Sequence, residues 1–306
     1  MPKEIAPLVE LDELLAAEYG YIAQTATQAN EDRARVSSFY LIAVGSLVAA
    51  LFGTQLFDAD KFTQIVKIMF SGLFVLLTVA AMFTYPGGLF TGELTTNYDF
   101  FRNFFSDLGR ITVAGQRSNI VSAILFFLAL SIAGIGLIFF FIAFRDFFKT
   151  DRTGNMLSLF GTITGVASGL CFVSIACAPY DLFFYFHYHL VFWAFRTFLV
   201  AVSIYAYIIF RQKTYPRQYG WVFMAFSVLL TAYLVLLEFG PSAETPEGLI
   251  VQATGQKVIA YVSILSVMAQ SWLAYRFRQN MEKLNRAGSA AHMLMRTIQS
   301  RRKHTP

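Results

Sequence analysis

From Asn119 to Phe144 the chain runs without one charged residue, and stretches nearly as apolar recur at Asn155–Ala178, His189–Phe210, Gly220–Leu237 and Lys257–Tyr275. Each is near the roughly 20 residues that a helix needs to cross the hydrocarbon core of a bilayer. Two earlier runs, Ser38–Phe57 and Phe62–Thr84, bring the expected number of spans to about seven. Inside lipid every backbone N–H and C=O must be satisfied within the structure, which leaves helices and closed barrels. Runs of this length are helices, so the expected fold is all-α: a polytopic transmembrane helix bundle. Composition agrees, with 56% hydrophobic and 14% charged residues, against about 45–50% and about 25% in soluble domains. The expected divisions are 1–37, an amphipathic N-terminal helix; 38–278, the transmembrane bundle; and 279–306, a basic amphipathic tail.

Leu8, Leu11, Leu14, Leu15, Tyr19, Ile22 and Ala23 recur at helical steps before the first span, with Glu10, Asp12, Glu13 and Glu18 on or near the other face. The first 37 residues are too polar and acidic for a cleavable signal peptide. A charged collar, Asn30–Arg35, follows the helix, and Asp58–Lys61 links the first two spans. Tyr85-Pro86-Gly87-Gly88 breaks the second span. After it comes the longest interhelical stretch, Asn97–Arg110, which alternates Phe pairs with polar groups in a pattern that suits the membrane interface.

The net charge of +5 does not point to nucleic acid, because the basic residues are scattered through short loops and the tail. They read as a topology signal. Lys61, Arg145, Lys149, Arg152, Arg211, Lys213, Arg217 and eight tail residues from Arg276 to Lys303 share one side. The other side has only Lys3, Arg33, Arg35, Arg102, Arg110 and Arg117. The tail side is therefore expected in the cytoplasm of a multi-pass cell-membrane protein, with the N-terminus outside if the first span crosses. Three outward pieces then share a surface: Ser106–Gly109, Pro179–His189 and Gly240–Lys257.

Gly161, Gly165 and Gly169 form a ladder at four-residue spacing, expected to let another helix approach closely and to place the fourth span in the middle of the bundle. Cys171 and Cys177 point about 120° apart on a helix and cannot bond to one another. Arg196 falls seven residues into the fifth span, about 10 Å below its outer end. At such depth it should face the bundle and find a partner among Asp181, Asp107 and Glu238.

By Tyr85–Gly88, the Ser106–Gly109 motif, Pro179–Asp181 with its downstream His, and Thr245-Pro246-Glu247-Gly248, residues 62–278 resemble an uncharacterised bacterial family of six-helix membrane proteins, distantly similar to the DRAM and Sfk group. Residues 1–84 look like a SLATT-type helix-plus-span segment, by Asn30–Arg35 and the span that follows. The resemblance implies a helical membrane protein and no particular reaction.

The leading functional expectation is a structural, sensory or lipid-associated membrane protein. Membrane lipids are expected partners, as is another protein or a second copy through the N-terminal helix. The basic tail would attract anionic lipid at about 1 kcal/mol per residue. The alternative is a metal-dependent hydrolase acting on lipid at the outer face. Asp107, Asp181, His187 and His189 would then hold zinc or act as acid and base, with Arg196 binding a carboxylate or lipid phosphate. The types are right, but two His and two Asp is a thin set. His187 and His189 would point about 200° apart on a helix. A simpler role for Ser106-Asp107 is to cap a short interfacial helix, with Asp107 also paired to Arg110. A transporter ranks third, since no internal repeat is visible and the spans hold few mid-depth ionisable groups besides Arg196 and Lys67.

Overall fold

A computed structural model of the chain describes residues 15–25, 27, 31, 71–149, 151–213 and 215–302. Residues 1–14 of the expected N-terminal helix, the collar apart from Glu31, the expected first span, the Asp58–Lys61 link and residues 62–70 of the expected second span, Lys67 among them, lie outside the described residues. The chain divides into two units, Met1–Leu47 and Val48–Pro306. In the first, residues 15–25 are helical, with Leu15, Tyr19 and Ile22 exposed.

The second unit is all-α. Its described helices are α1 (Ser71–Thr84), α2 (Ile120–Phe144), α3 (Arg152–Ala176), α4 (Phe184–Arg211), α5 (Gly220–Phe239) and α6 (Pro246–Arg302). The last five contain segments long and apolar enough to cross a membrane. Each helix packs on the next in sequence, and α6 returns to touch both α1 and α2. These contacts close the helices into a ring, in which the short connections from α2 to α6 make consecutive helices antiparallel.

The ladder on α3 is a packing device. A Cβ at Gly161 would stand 2.8 Å from the Tyr205 ring on α4. One at Gly165 would stand 2.2 Å from the Phe141 ring on α2, and one at Gly169 2.6 Å from Ile138. The most buried span, however, is α2, not α3. Glycine brings α3 close to two neighbours and leaves Met156, Leu159, Phe160 and Ile163 facing outward. Aromatic rings fill the core at the basic end: Phe144 stacks on Phe140 and meets Tyr205, Tyr215 and Phe223.

Two boundaries differ from expectation. α4 begins at Phe184, not His189, so its first turns carry the exposed aromatics Phe184, Tyr185, Phe186 and Tyr188. α6 begins at Pro246, not Lys257, and runs for 57 residues, about 86 Å at the standard rise. Proline suits the first helical turn, where its missing N–H is not needed. The helix continues without a break through the basic tail to Arg302.

At the opposite end, residues 85–118 form a cap over the bundle. It holds a short 3₁₀ helix, Phe105–Gly109, lying against α1, α2 and α6. It closes with an antiparallel pair, β1 (Thr112–Val113) and β2 (Arg117–Ser118), in which Thr112 faces Ser118 and Val113 faces Arg117.

Candidate functional site

The cap is folded around buried polar groups. Tyr85-Pro86-Gly87-Gly88 leaves α1 through two positive-φ glycines, at 90° and 108°. A side chain at Gly87 would meet Thr95 O at 2.2 Å, so glycine is required there for space as well as for φ. Asn103, fully buried, uses its whole amide: Nδ2 donates to Gly88 O (2.7 Å) and Asp107 Oδ2 (3.0 Å), while Oδ1 accepts from Asp99 N–H (2.9 Å). Asp107 Oδ2 also accepts the Phe104 N–H at 2.8 Å. The carboxylate therefore reaches back to the start of the 3₁₀ helix and caps it, which is the simpler of its two expected roles. Its other oxygen, Oδ1, has no hydrogen bond and stands 3.9 Å from Arg110 Nη1. Burial pushes the Asp107 carboxyl up to about 6, against the pull of the Asn103 hydrogen bond, Arg110, the Phe104 N–H and Lys257. Arg110 lies in turn over the Tyr180 ring, 5.3 Å from its centroid. Burial likewise raises the Tyr180 hydroxyl to about 12.

Lys257 is the unexpected member. It sits about 16 Å along α6 from Pro246, is fully buried, and donates to Asn103 O and to Ala253 O (2.9 Å). One turn of cap and one turn of α6 are thereby joined by a buried cation. Gln256 makes a second link, its Oε1 accepting the Phe105 N–H at 2.7 Å.

The four expected metal or acid–base residues are not gathered. Asp107 is committed inside the cap. Asp181 lies on the α3–α4 connection, where Oδ2 accepts the N–H groups of Ile111 (3.0 Å) and Thr112 (2.9 Å) and so fastens that connection to the cap. His187 and His189 fall on regular helix and diverge, as the helical period requires. His187 is buried with Nδ1 2.7 Å from Ala178 O, and His189 is exposed beside Tyr188. Among the described residues no three His, Cys, Asp or Glu side chains come together as a metal site would need. Arg196 pairs with Glu238 at 2.7 Å, one of its three expected partners, and covers the Phe192 ring. The earlier start of α4 places Arg196 about 18 Å from that helix's own end. It nonetheless lies level with the end of α5, because α4 overshoots its neighbour.

Two cavities open beneath the cap. One, of about 100 Å³, is an apolar slot between α2, α4 and α6, walled by Leu130, Ala133, Leu137, Phe195, Ile264 and Met268 among others. The other, of about 370 Å³, is a vestibule lined by Phe90, Phe104, Tyr180, Tyr188, Tyr233 and Gln252 among others. Ser106, His187, Val191 and Gln256 line both. Neither wall contains Asp, Glu, Lys or Arg. Of these junction residues, His187 was marked out by sequence alone. Ser106 falls in the outward piece Ser106–Gly109 and in the expected cap. By sequence Gln256 belongs to the outward stretch Gly240–Lys257 and Lys257 to the start of the last span; the structure places both within α6, which begins at Pro246.

Comparison with protein-family models, with curated proteins and with solved structures gives no match to the chain.

Proposed function

We propose that the protein is an integral membrane protein whose bundle receives an amphipathic, lipid-like molecule, in a sensory or lipid-associated role rather than a catalytic one. The observation that carries this reading is the junction of an apolar slot with a larger vestibule at three polar side chains, Ser106, His187 and Gln256. Ligand sites are commonly mostly apolar, about 300–1,000 Å³, with a few placed polar groups, and the vestibule falls in that range. The hydrolase alternative draws no support from the placement of Asp107, Asp181, His187 and His189, which do not come together as a metal site. The proposal includes an orientation with the basic end in the cytoplasm, argued from the Lys and Arg distribution, and the likeness of residues 62–278 to the six-helix family.

The test is native mass spectrometry of the full chain released from membranes. Wild type is expected to carry a bound amphiphile. Ala133→Phe, which grows a ring into the slot, is expected to lose it while keeping its helical circular dichroism. Equal ligand load in the two proteins, or none in either, overturns the reading.

A further inference from the structure

Taking the amphiphile reading as its base, we infer that the ligand's head is uncharged and bears a hydroxyl group, as in a monoacylglycerol or a long-chain alcohol. The donor and acceptor roles at the junction are decided by bonds within the protein. Ala178 O can only accept, so His187 Nδ1 carries a proton. In the neutral ring Nε2 is then an acceptor. The Phe105 N–H can only donate, so the Gln256 atom it meets is Oε1, and the Gln256 NH₂ group is left as a donor. Ser106 Oγ both donates and accepts. A hydroxyl complements this set: its proton goes to His187 Nε2 and its oxygen accepts from Gln256. A carboxylate or phosphate has no proton for His187 Nε2. A quaternary ammonium has nothing to accept from Gln256.

Charge leads to the same class. The cations nearest the cap line neither cavity. Lys257 donates to two carbonyls, Arg196 pairs with Glu238, and Arg110 lies between Asp107 and the Tyr180 ring. A charged head placed at the junction would be buried without a partner, which is far more costly than burying a hydroxyl whose hydrogen bonds are met.

The experiment varies the ligand, so protein folding is not at issue. Full-length wild-type protein in detergent is titrated with three molecules sharing an oleoyl chain: monooleoylglycerol, the same molecule with both hydroxyls methylated, and oleoyl lysophosphatidate. Monooleoylglycerol is expected to bind most tightly. The methylated form should be weaker by about fivefold, the scale of one net hydrogen bond, and lysophosphatidate by about tenfold or more. His187→Phe should erase the gap between monooleoylglycerol and its methylated form. Lysophosphatidate binding as tightly as monooleoylglycerol overturns the uncharged head and leaves the amphiphile reading in place. Equal binding of the hydroxyl and methylated forms overturns the hydroxyl. If none of the three binds, and Ala133→Phe changes nothing, the amphiphile reading itself falls.

Discussion

Asp107 is a carboxylate with no access to water, held by one oxygen to Phe104 and Asn103 and loosely faced by Arg110 through the other. Truncation to alanine would leave the Phe104 N–H and the Asn103 amide short of an acceptor. Asp107→Ala is therefore expected to lower unfolding stability in detergent by about 1–3 kcal/mol. The pH response has a definite sign. The folded carboxyl is raised to about 6 by burial from an ordinary value of 3.8. The stability gained by keeping it protonated is full below about pH 4 and is lost as pH rises through about 6. The stability of wild type relative to Asp107→Asn should fall as pH rises over that window, and a flat difference would contradict the burial argument. Lys257 carries the complementary prediction. Lys257→Met removes the donor to Asn103 O, so trypsin should cut at Arg102 faster than in wild type while the bundle still melts as one unit. Asp107 was legible as a cap because caps depend on local chemistry, although it caps from within the turn and not from before it. Asn103 and Lys257 were not, because their pairing joins positions 154 residues apart.

Helix contacts here rest on close backbone approach. At Gly165 an added Cβ would fall 2.2 Å from the Phe141 ring, whereas at Gly288, on the exposed extension of α6, nothing lies within 4 Å. Gly165→Val should therefore separate α3 from α2 and cost on the order of 1–3 kcal/mol by overpacking. Gly288→Ala should leave stability unchanged or raise it by up to about 1 kcal/mol through helix propensity. Thermal melts of the two variants beside wild type decide this, and similar losses in both would sink the packing account. The spacing of the glycines was readable from the sequence. Which neighbours they admit was not, since three helices had to be placed before Gly161 could be assigned to Tyr205 and Gly169 to Ile138.

At the scale of the whole molecule, polarity is split between two ends. Arg211 with Asp151 and Arg145 with Asn155 gather at one end, close to where α6 leaves the bundle. The cap, with its buried Asp107 and Lys257, occupies the other. Under the proposed orientation, a cysteine at Ser242→Cys in a chain freed of Cys171 and Cys177 should react with an impermeant maleimide added outside intact cells. One at Lys149→Cys should react only after the membrane is opened. The reverse pattern would invert the protein in its membrane. The vestibule faces the cap end in either case.

What the sequence determined was whatever lipid and backbone chemistry impose run by run: an all-α bundle, the five spans from Asn119 onward, the break at Tyr85–Gly88, and the need of Arg196 for an acidic partner. These follow from local length, hydropathy and the cost of burying charge. Only the tertiary structure decided that Glu238 is that partner, that Asp181 serves the cap and not His187, and that Gln256 reaches Phe105. Only it decided that an apolar slot meets a vestibule at Ser106, His187 and Gln256. Each of these depends on where one helix stands against another. A shift of one turn at the start of α4 or α6 moves every such pairing, and hydropathy alone places those starts no better than that.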